Sequence, residues 1–113
     1  MSRETIGEAT VDGVTLPIEL DLAGGRVELR AGGELAFMDI RRHGSVLTLI
    51  HTESPPAFRG QHVAEGIVRA VLDYARAQSM TIEPFCPFVS ALLQRHPEYA
   101  DLVDPAFRTR RGA

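Results

Sequence analysis

The stretch HTESPPAFRGQHVAEGIV, residues 51–68, separates strand-like sequence from helix-like sequence. The run SVLTLI just before it is short and apolar, which is typical of a strand. Pro55 and Pro56 then interrupt regular structure. After them, apolar side chains recur every four residues at Val63, Ile67 and Val71, which predicts an amphipathic helix over about residues 60–78. The stretch is therefore a strand-to-helix turn, whose backbone amides are candidates for holding a ligand.

The first 52 residues have the pattern of strands joined by glycine turns. In VTLPIELDL the apolar side chains alternate on one face, at Leu16, Ile18, Leu20 and Leu22. Pro17 has no amide hydrogen, so the start of this strand is expected at an edge or a bulge. Hairpin turns are expected at glycines 24–25, 32–33 and 44. We predict an antiparallel meander of three or four strands, with residues 1–10 irregular or weakly paired.

The second half predicts a crossover between parallel strands. MTIEPF has the composition of a strand ended by Pro84, and PFVSALLQRHPEY that of a helix opened by Pro87 and ended by Pro97. Strands joined through a helix run parallel, so their carboxyl ends meet at one edge of the sheet. That edge is where open α/β sheets bind ligands.

The predicted fold class is α/β (α+β), with an antiparallel N-terminal meander, a parallel β-α-β crossover and a C-terminal helix. We predict one domain over residues 1–113, with flexible ends at residues 1–10 and 105–113. The basic run Arg108-Thr-Arg-Arg is expected to be a solvated end.

Composition limits the function. No apolar run approaches the roughly 20 residues that span a membrane, and the first residues lack the apolar core of a signal peptide, so we expect a cytoplasmic protein without a membrane partner. A net charge of −3 argues against nucleic acid as a partner. The lone Cys86 excludes an intramolecular disulfide and a cysteine-rich zinc site, and we predict no metal. The oligomeric state cannot be predicted.

The turn is a candidate phosphate site. A helix N-terminus offers unpaired amides and a partial positive charge, which an anion satisfies. The candidate groups are the amides of Arg59, Gly60, Gln61, His62, Val63 and Ala64, with the Arg59 guanidinium as a charged partner. The alternative is a plain connection between strand and helix, in which Glu65 complements the helix dipole without a ligand.

Several motifs resemble the GCN5-related N-acetyltransferase superfamily, and most closely its small YjdJ-type acetyltransferase-like branch. The resemblance covers roughly residues 34–103 and rests on four motifs in the same order, His51-Thr52, Arg59-Gly60, Pro84-Phe85-Cys86-Pro87-Phe88 and His96-Pro97-Glu98-Tyr99. It implies acetyl-CoA or coenzyme A as cofactor, with its pyrophosphate on residues 59–64. It also implies transfer of an acetyl group from the CoA thioester to an unknown amine acceptor, either a small molecule or a protein.

One position departs from the family pattern Arg-x-x-Gly-x-Ala. His62 stands where glycine is usual, and a positive φ at that position would strain it. The resemblance also implies that the strand before the loop splays from its neighbour. Its backbone at Thr52, Glu53 and Ser54 would then pair with the pantetheine arm.

Cys86 precedes Pro87 and is therefore expected at a helix N-cap, where the dipole favours thiolate. The alternative is that Cys86 has no chemical role and is a small buried apolar residue at the end of a strand. The resemblance implies a catalytic role, either as an acetyl-accepting nucleophile or beside direct transfer from CoA to an amine. His51 is the predicted base for Cys86, and its alternative is a histidine bonded to backbone. His96 and Tyr99 are expected to be structural.

Two other functions remain open. The chain could be a non-catalytic CoA-binding or protein-interaction module on the same fold. It could also be an unrelated α/β domain whose loop holds another phosphate ligand.

Overall fold

The computed structural model describes the backbone of residues 3–110 and the side chains of residues 3–107. Within that range six strands form one sheet in chain order. They are β1 (Glu4–Val11), β2 (Val14–Asp21), β3 (Arg26–Ala31), β4 (Glu34–His43), β5 (Val46–Glu53) and β6 (Thr81–Pro84). The helices are α1 (Val63–Ala77), α2 (Pro87–Arg95) and α3 (Pro105–Arg110), with 3₁₀ turns at Pro56–Phe58 and Pro97–Leu102. Neighbouring strands from β1 to β5 are antiparallel, and β5 and β6 are parallel. The meander and the crossover are therefore confirmed.

The N-terminal prediction needs a correction. The meander has five strands where three or four were expected, because residues 4–11 pair along their length with β2. The sequence ETIGEATV has little apolar periodicity, and its small residues suit close packing instead. A Cβ added to Gly7 would lie 2.9 Å from the Cβ of Ala70 on α1. Residues 1 and 2 of the predicted irregular end lie outside the described part of the chain.

At the C-terminal end, residues 105–110 form α3, and Phe107 is buried. Regular structure therefore extends into the segment that we expected to be flexible. The last three residues, together with the side chains of the basic run, are outside the description.

Pro17 shows how β2 accommodates a missing amide. It pairs with Glu8 of β1, whereas β2 pairs with β3 only from Glu19 to Asp21. On its β3 side Pro17 therefore has no ladder to interrupt. The predicted local edge is confirmed, although β2 as a whole lies inside the sheet.

The core lies between one face of the sheet and α1. The predicted helical stripe is buried, with Ile67, Val71 and Ala75 each at most 1% exposed. Across from it, sheet residues such as Leu29 and Met38 have no exposed surface. Each large apolar side chain buried in this way contributes about 1.5–3 kcal/mol. This interface sets the direction in which α1 leaves the turn and so positions its N-terminus.

Candidate functional site

A cleft of about 530 Å³ lies at the N-terminus of α1. Six of the nine predicted cofactor-binding residues line it, namely Ser54, Arg59, Gly60, His62, Val63 and Ala64. Its other lining residues are Phe58, Glu65, Phe88 and Arg95. The predicted residues Thr52, Glu53 and Gln61 do not line it. The sheet and the crossover thus bring most of the predicted loop to one concave surface.

The loop leaves several amides free. Those of Arg59 and Gln61 donate to Pro56 O and Phe58 O, at 3.0 and 3.2 Å, so the turn itself satisfies them. The first intrahelical bond of α1 runs from Gly66 N to His62 O at 2.9 Å. Within the described chain, no acceptor is present for the amides of Gly60, His62, Val63 and Ala64. An anion in the cleft would meet these four groups at the positive end of the helix dipole.

The helix begins at Val63, three residues later than predicted, because two loop residues are left-handed. Gly60 has φ +79° and His62 has φ +59°. A left-handed histidine costs roughly 1–2 kcal/mol. The His62 side chain is 83% exposed, so little packing offsets this cost. Histidine in place of the glycine that the family pattern has at position 62 therefore strains the backbone of the loop.

Two arginine residues line the cleft. Arg59 comes from the loop and Arg95 from the last turn of α2. Neither forms an ion pair with another described residue. The carboxylate of Glu65 also lines the cleft, but Arg69 pairs with it at 3.2 Å. The charge presented to a ligand is consequently positive.

Sequence reasoning missed Arg95. A basic residue in the last turn of a helix normally complements the helix dipole, so its position in α2 carried no functional signal. Only the packing of α2 beside the loop brings Arg95 into the cleft.

The strand edge beside the cleft is open. β6 pairs with β5 only over residues 46–49, and Cys86 N then donates to Leu49 O at 3.0 Å. β5 continues to Glu53, paired on its other side with β4. The backbone of residues 50–53 therefore has no strand partner on the β6 side within the described chain. Such an unpaired edge is what the splayed strand implied by the resemblance would leave, and the splay itself stays a prediction.

Cys86 lies in the fork between β5 and β6. It is the N-cap of α2, its carbonyl accepts the Ser90 amide at 3.1 Å, and Pro87 follows as the first helical residue. The predicted N-cap position is confirmed. The side chain is 3% exposed, and its Sγ lies 3.4 Å from the hydroxyl oxygen of Thr52.

The structure does not bring His51 to Cys86. The register shift between Asp39 and Ile40 leaves Ile50 without an opposite partner in β4, which is a β-bulge. Beyond it, Thr52 pairs with buried Met38, so Thr52 points to the core face of the sheet.

His51 consequently points to the other face of the sheet. There its Nε2 lies 2.8 Å from Glu53 Oε2, and its ring packs edge-on against Phe37 with centroids 6.3 Å apart. Without the bulge, His51 would share the face of buried Leu47 and Leu49, and the bulge places Thr52 there instead. The prediction of His51 as the neighbour of Cys86 rested on its place at the end of β5, which does not determine the face.

His96 and Tyr99 belong to a polar cluster over α1. The ring nitrogens of His96 lie 3.0 Å from Arg69 Nη2, and the Tyr99 hydroxyl donates to Asp73 at 3.3 Å. Burial, and then the Asp73 carboxylate, raise the pKa of Tyr99. Both residues join the Pro97–Leu102 turn to α1. Their surroundings support the predicted structural role.

Taken together, these elements define a small α/β protein with a cationic cleft and an open strand edge at the end of a parallel crossover. A family model described as GCN5-related N-acetyl-transferase matches residues 26–102 of the 113. The chain belongs to the GCN5-related N-acetyltransferase family. The motif resemblance is confirmed at the level of the family, and the small branch stays a prediction. In the described chain, no helix has the length and apolarity needed to cross a membrane.

Proposed function

We propose that this protein is an acetyl-CoA-dependent N-acetyltransferase that binds the pyrophosphate of CoA in the cleft at the N-terminus of α1. The observation that carries the proposal is the cleft itself, which is lined by four residues with free amides together with Arg59 and Arg95. Hydrogen bonds that involve a charged group contribute about 1.5–3 kcal/mol each. A few such bonds to phosphate account for micromolar affinity, which corresponds to about 8 kcal/mol.

The open edge of β5 supports the placement of the rest of the cofactor. The pantetheine arm carries amides that can pair with an unpaired strand edge, as an added strand would. Residues 50–53 offer such an edge between the cleft and the fork that holds Cys86. Thr52 and Glu53 would then contact pantetheine through their backbone. Ser54, which lines the cleft, would lie where the arm enters it.

Direct transfer suits the surroundings of Cys86 better than an acetyl-cysteine intermediate. The thiol is buried and meets the Thr52 hydroxyl, which is a poor base, while His51 lies on the other face of the sheet. In direct transfer the acceptor nitrogen attacks the thioester carbonyl carbon and the carbon–sulfur bond breaks. The proton lost by the nitrogen leaves with the CoA sulfur as a thiol. Cys86 would line the thioester site without being acetylated.

The test is calorimetric titration of the purified protein with acetyl-CoA. Micromolar binding is expected, weakened at least tenfold by Arg59→Glu and by Arg95→Glu, since each change replaces attraction for phosphate with repulsion. Arg41→Glu makes the same change of charge on the exposed part of β4, away from the cleft, and should leave affinity within about twofold. Wild-type protein that does not bind at millimolar acetyl-CoA would refute the proposal.

A non-catalytic CoA-binding module is the second candidate. It is favoured because, in the part of the chain that the structure describes, the thiol of Cys86 has the Thr52 hydroxyl as its side-chain partner and no base. Wild-type protein that binds acetyl-CoA yet acetylates no amine across polyamine, arylamine and lysine-peptide panels would support this candidate. If transfer occurs, Cys86→Ser separates the two roles of the cysteine. Direct transfer predicts activity within about tenfold of wild type and no acetyl group on Cys86 by mass spectrometry, whereas a nucleophilic role predicts loss of transfer at unchanged affinity.

A further inference from the structure

The side chain of Gln61 turns away from the cleft and reaches the β1–β2 turn. Its Oε1 accepts the Asp12 amide at 2.7 Å, and its Nε2 donates to Asp12 Oδ1 at 3.2 Å. The same nitrogen lies 3.4 Å from the carbonyl oxygen of Ala57, on the loop itself. The side-chain amide of Gln61 thus links the loop to the Pro56–Phe58 turn before it and to the β1–β2 hairpin, which is far away in the sequence.

The loop end of this connection has unusual backbone geometry. His62, next to Gln61, has φ +59°, whereas the φ of +50° at Asp12 belongs to a two-residue Asp12-Gly13 hairpin turn, in which both residues ordinarily have positive φ. Non-glycine residues keep such angles only where their surroundings impose them. Among the described residues, no side chain caps the N-terminus of α1, so helix capping does not hold His62 in place. The Gln61 bonds are the tertiary contacts positioned to do so.

The direction of the free amides depends on these angles. The φ and ψ of His62 set the orientation of the Val63 amide, and those of Gln61 set the orientation of the His62 amide. If His62 relaxed to negative φ, the His62 and Val63 amides on its two sides would no longer keep their present directions relative to each other. An anion would then have to order the loop as it binds, and that cost would reduce its affinity.

We propose that Gln61 is a positioning residue, which braces the loop against the β1–β2 turn so that its amides face the cleft before the ligand arrives. This inference rests on the proposed function, since the ligand it concerns is acetyl-CoA. Gln61 itself touches no phosphate, because its side chain is engaged on the Asp12 side.

The test compares Gln61→Met with wild type and with Gln78→Met. Methionine keeps the length of the side chain and removes both hydrogen-bonding groups. Gln78 is the exposed C-cap of α1, at the end of the helix away from the cleft, and serves as the matched control. The measurements are the exchange rate of the Asp12 amide by NMR, the Kd for acetyl-CoA by calorimetry, and the unfolding midpoint with and without acetyl-CoA.

If Gln61 positions the loop in this way, the Asp12 amide should exchange faster in Gln61→Met, and the Kd for acetyl-CoA should rise about five- to tenfold. Acetyl-CoA should also raise the unfolding midpoint of this variant by less than it does for wild type, because that increment depends on Kd. A purely structural role would lower the midpoint equally with and without ligand. Gln61→Ala, which should behave in the same way, provides a second variant if the methionine variant does not fold.

Three results would overturn the inference. An unchanged Kd with faster exchange of the Asp12 amide would show that the Gln61 bonds do not matter for binding. In that case, weaker acetyl-CoA binding by Arg59→Glu would still support the proposed function. A raised Kd with unchanged Asp12 exchange would mean that Gln61 contacts the ligand directly. Failure of wild-type protein to bind acetyl-CoA would remove the inference together with the proposed function.

Discussion

His62 combines strain with exposure, so its side chain contributes little to folding. The imidazole is 83% exposed, and its nearest charged partner is Glu65, with Nδ1 and Oε1 3.9 Å apart. A contact of that length at the surface is worth well under about 1 kcal/mol. The left-handed backbone therefore dominates the energetics of this residue.

His62→Gly is expected to raise the free energy of unfolding by about 0.5–1 kcal/mol, because relief of strain exceeds the greater freedom of glycine in the unfolded chain. Denaturant titration measures the change. His43→Gly is the control, since His43 ends β4 with ordinary φ and the same change there should destabilise. A lower stability for His62→Gly would mean that the imidazole makes a contact that offsets the strain.

Cys86 illustrates what a single residue's position in the sequence can and cannot predict. Its N-cap position followed from the adjacent Pro87, which is a local signal. Its neighbour did not follow, because Ile50 is bulged and the alternation of β5 changes phase there. Nothing in SVLTLIHT distinguishes a bulged strand from a regular one, since the bulge depends on β4.

Two glycines at the interface between α1 and β1 differ in the space available for a side chain. Gly66 lies within α1, and a Cβ added there would lie 3.5 Å from the Cβ of Ala9, an ordinary contact. A Cβ added to Gly7 of β1 would lie 2.9 Å from the Cβ of Ala70, which cannot rotate away. The first site has room for a methyl group and the second does not.

Gly66→Ala is expected to stabilise the protein by about 0.5–1 kcal/mol, because alanine is the better helix former. Gly7→Ala is expected to destabilise it by about 1–3 kcal/mol through overpacking. Thermal and denaturant unfolding of the two variants measure both effects, and each variant is the other's control. Equal and small effects of the two changes would show that β1 packs on α1 more loosely than these distances indicate.

At the scale of the whole molecule, β1 and β2 belong to the core although the family match begins at residue 26. Val11 is 5% exposed, Ile18 and Leu20 are at most 2% exposed, and Ile6 packs against the same cluster. Hydrophobic stabilisation by a few such residues, at about 1.5–3 kcal/mol each, is comparable to a total stability of about 5–15 kcal/mol. The first hairpin should therefore be essential for folding.

Deletion of residues 2–12 is expected to abolish cooperative unfolding, because it removes β1 from the edge of β2 and from the face of α1. Circular dichroism during heating measures this, with deletion of residues 111–113 as the control that should unfold as wild type does. A cooperative transition within a few degrees of wild type after the N-terminal deletion would show that the matched region folds without β1.

Four features can be predicted from local sequence alone, namely the helix stripe of α1, the parallel crossover, the N-cap at Cys86 and the loop that lines the cleft. These follow from periodicity and from proline and glycine positions, which act over a few residues. Four others depend on tertiary packing, namely the pairing of β1, the face that His51 occupies, the position of Arg95 in the same cleft as Arg59, and the bond between Gln61 and Asp12. Each of these joins segments far apart in the chain, and their free energies are realised only when the sheet and helices pack together.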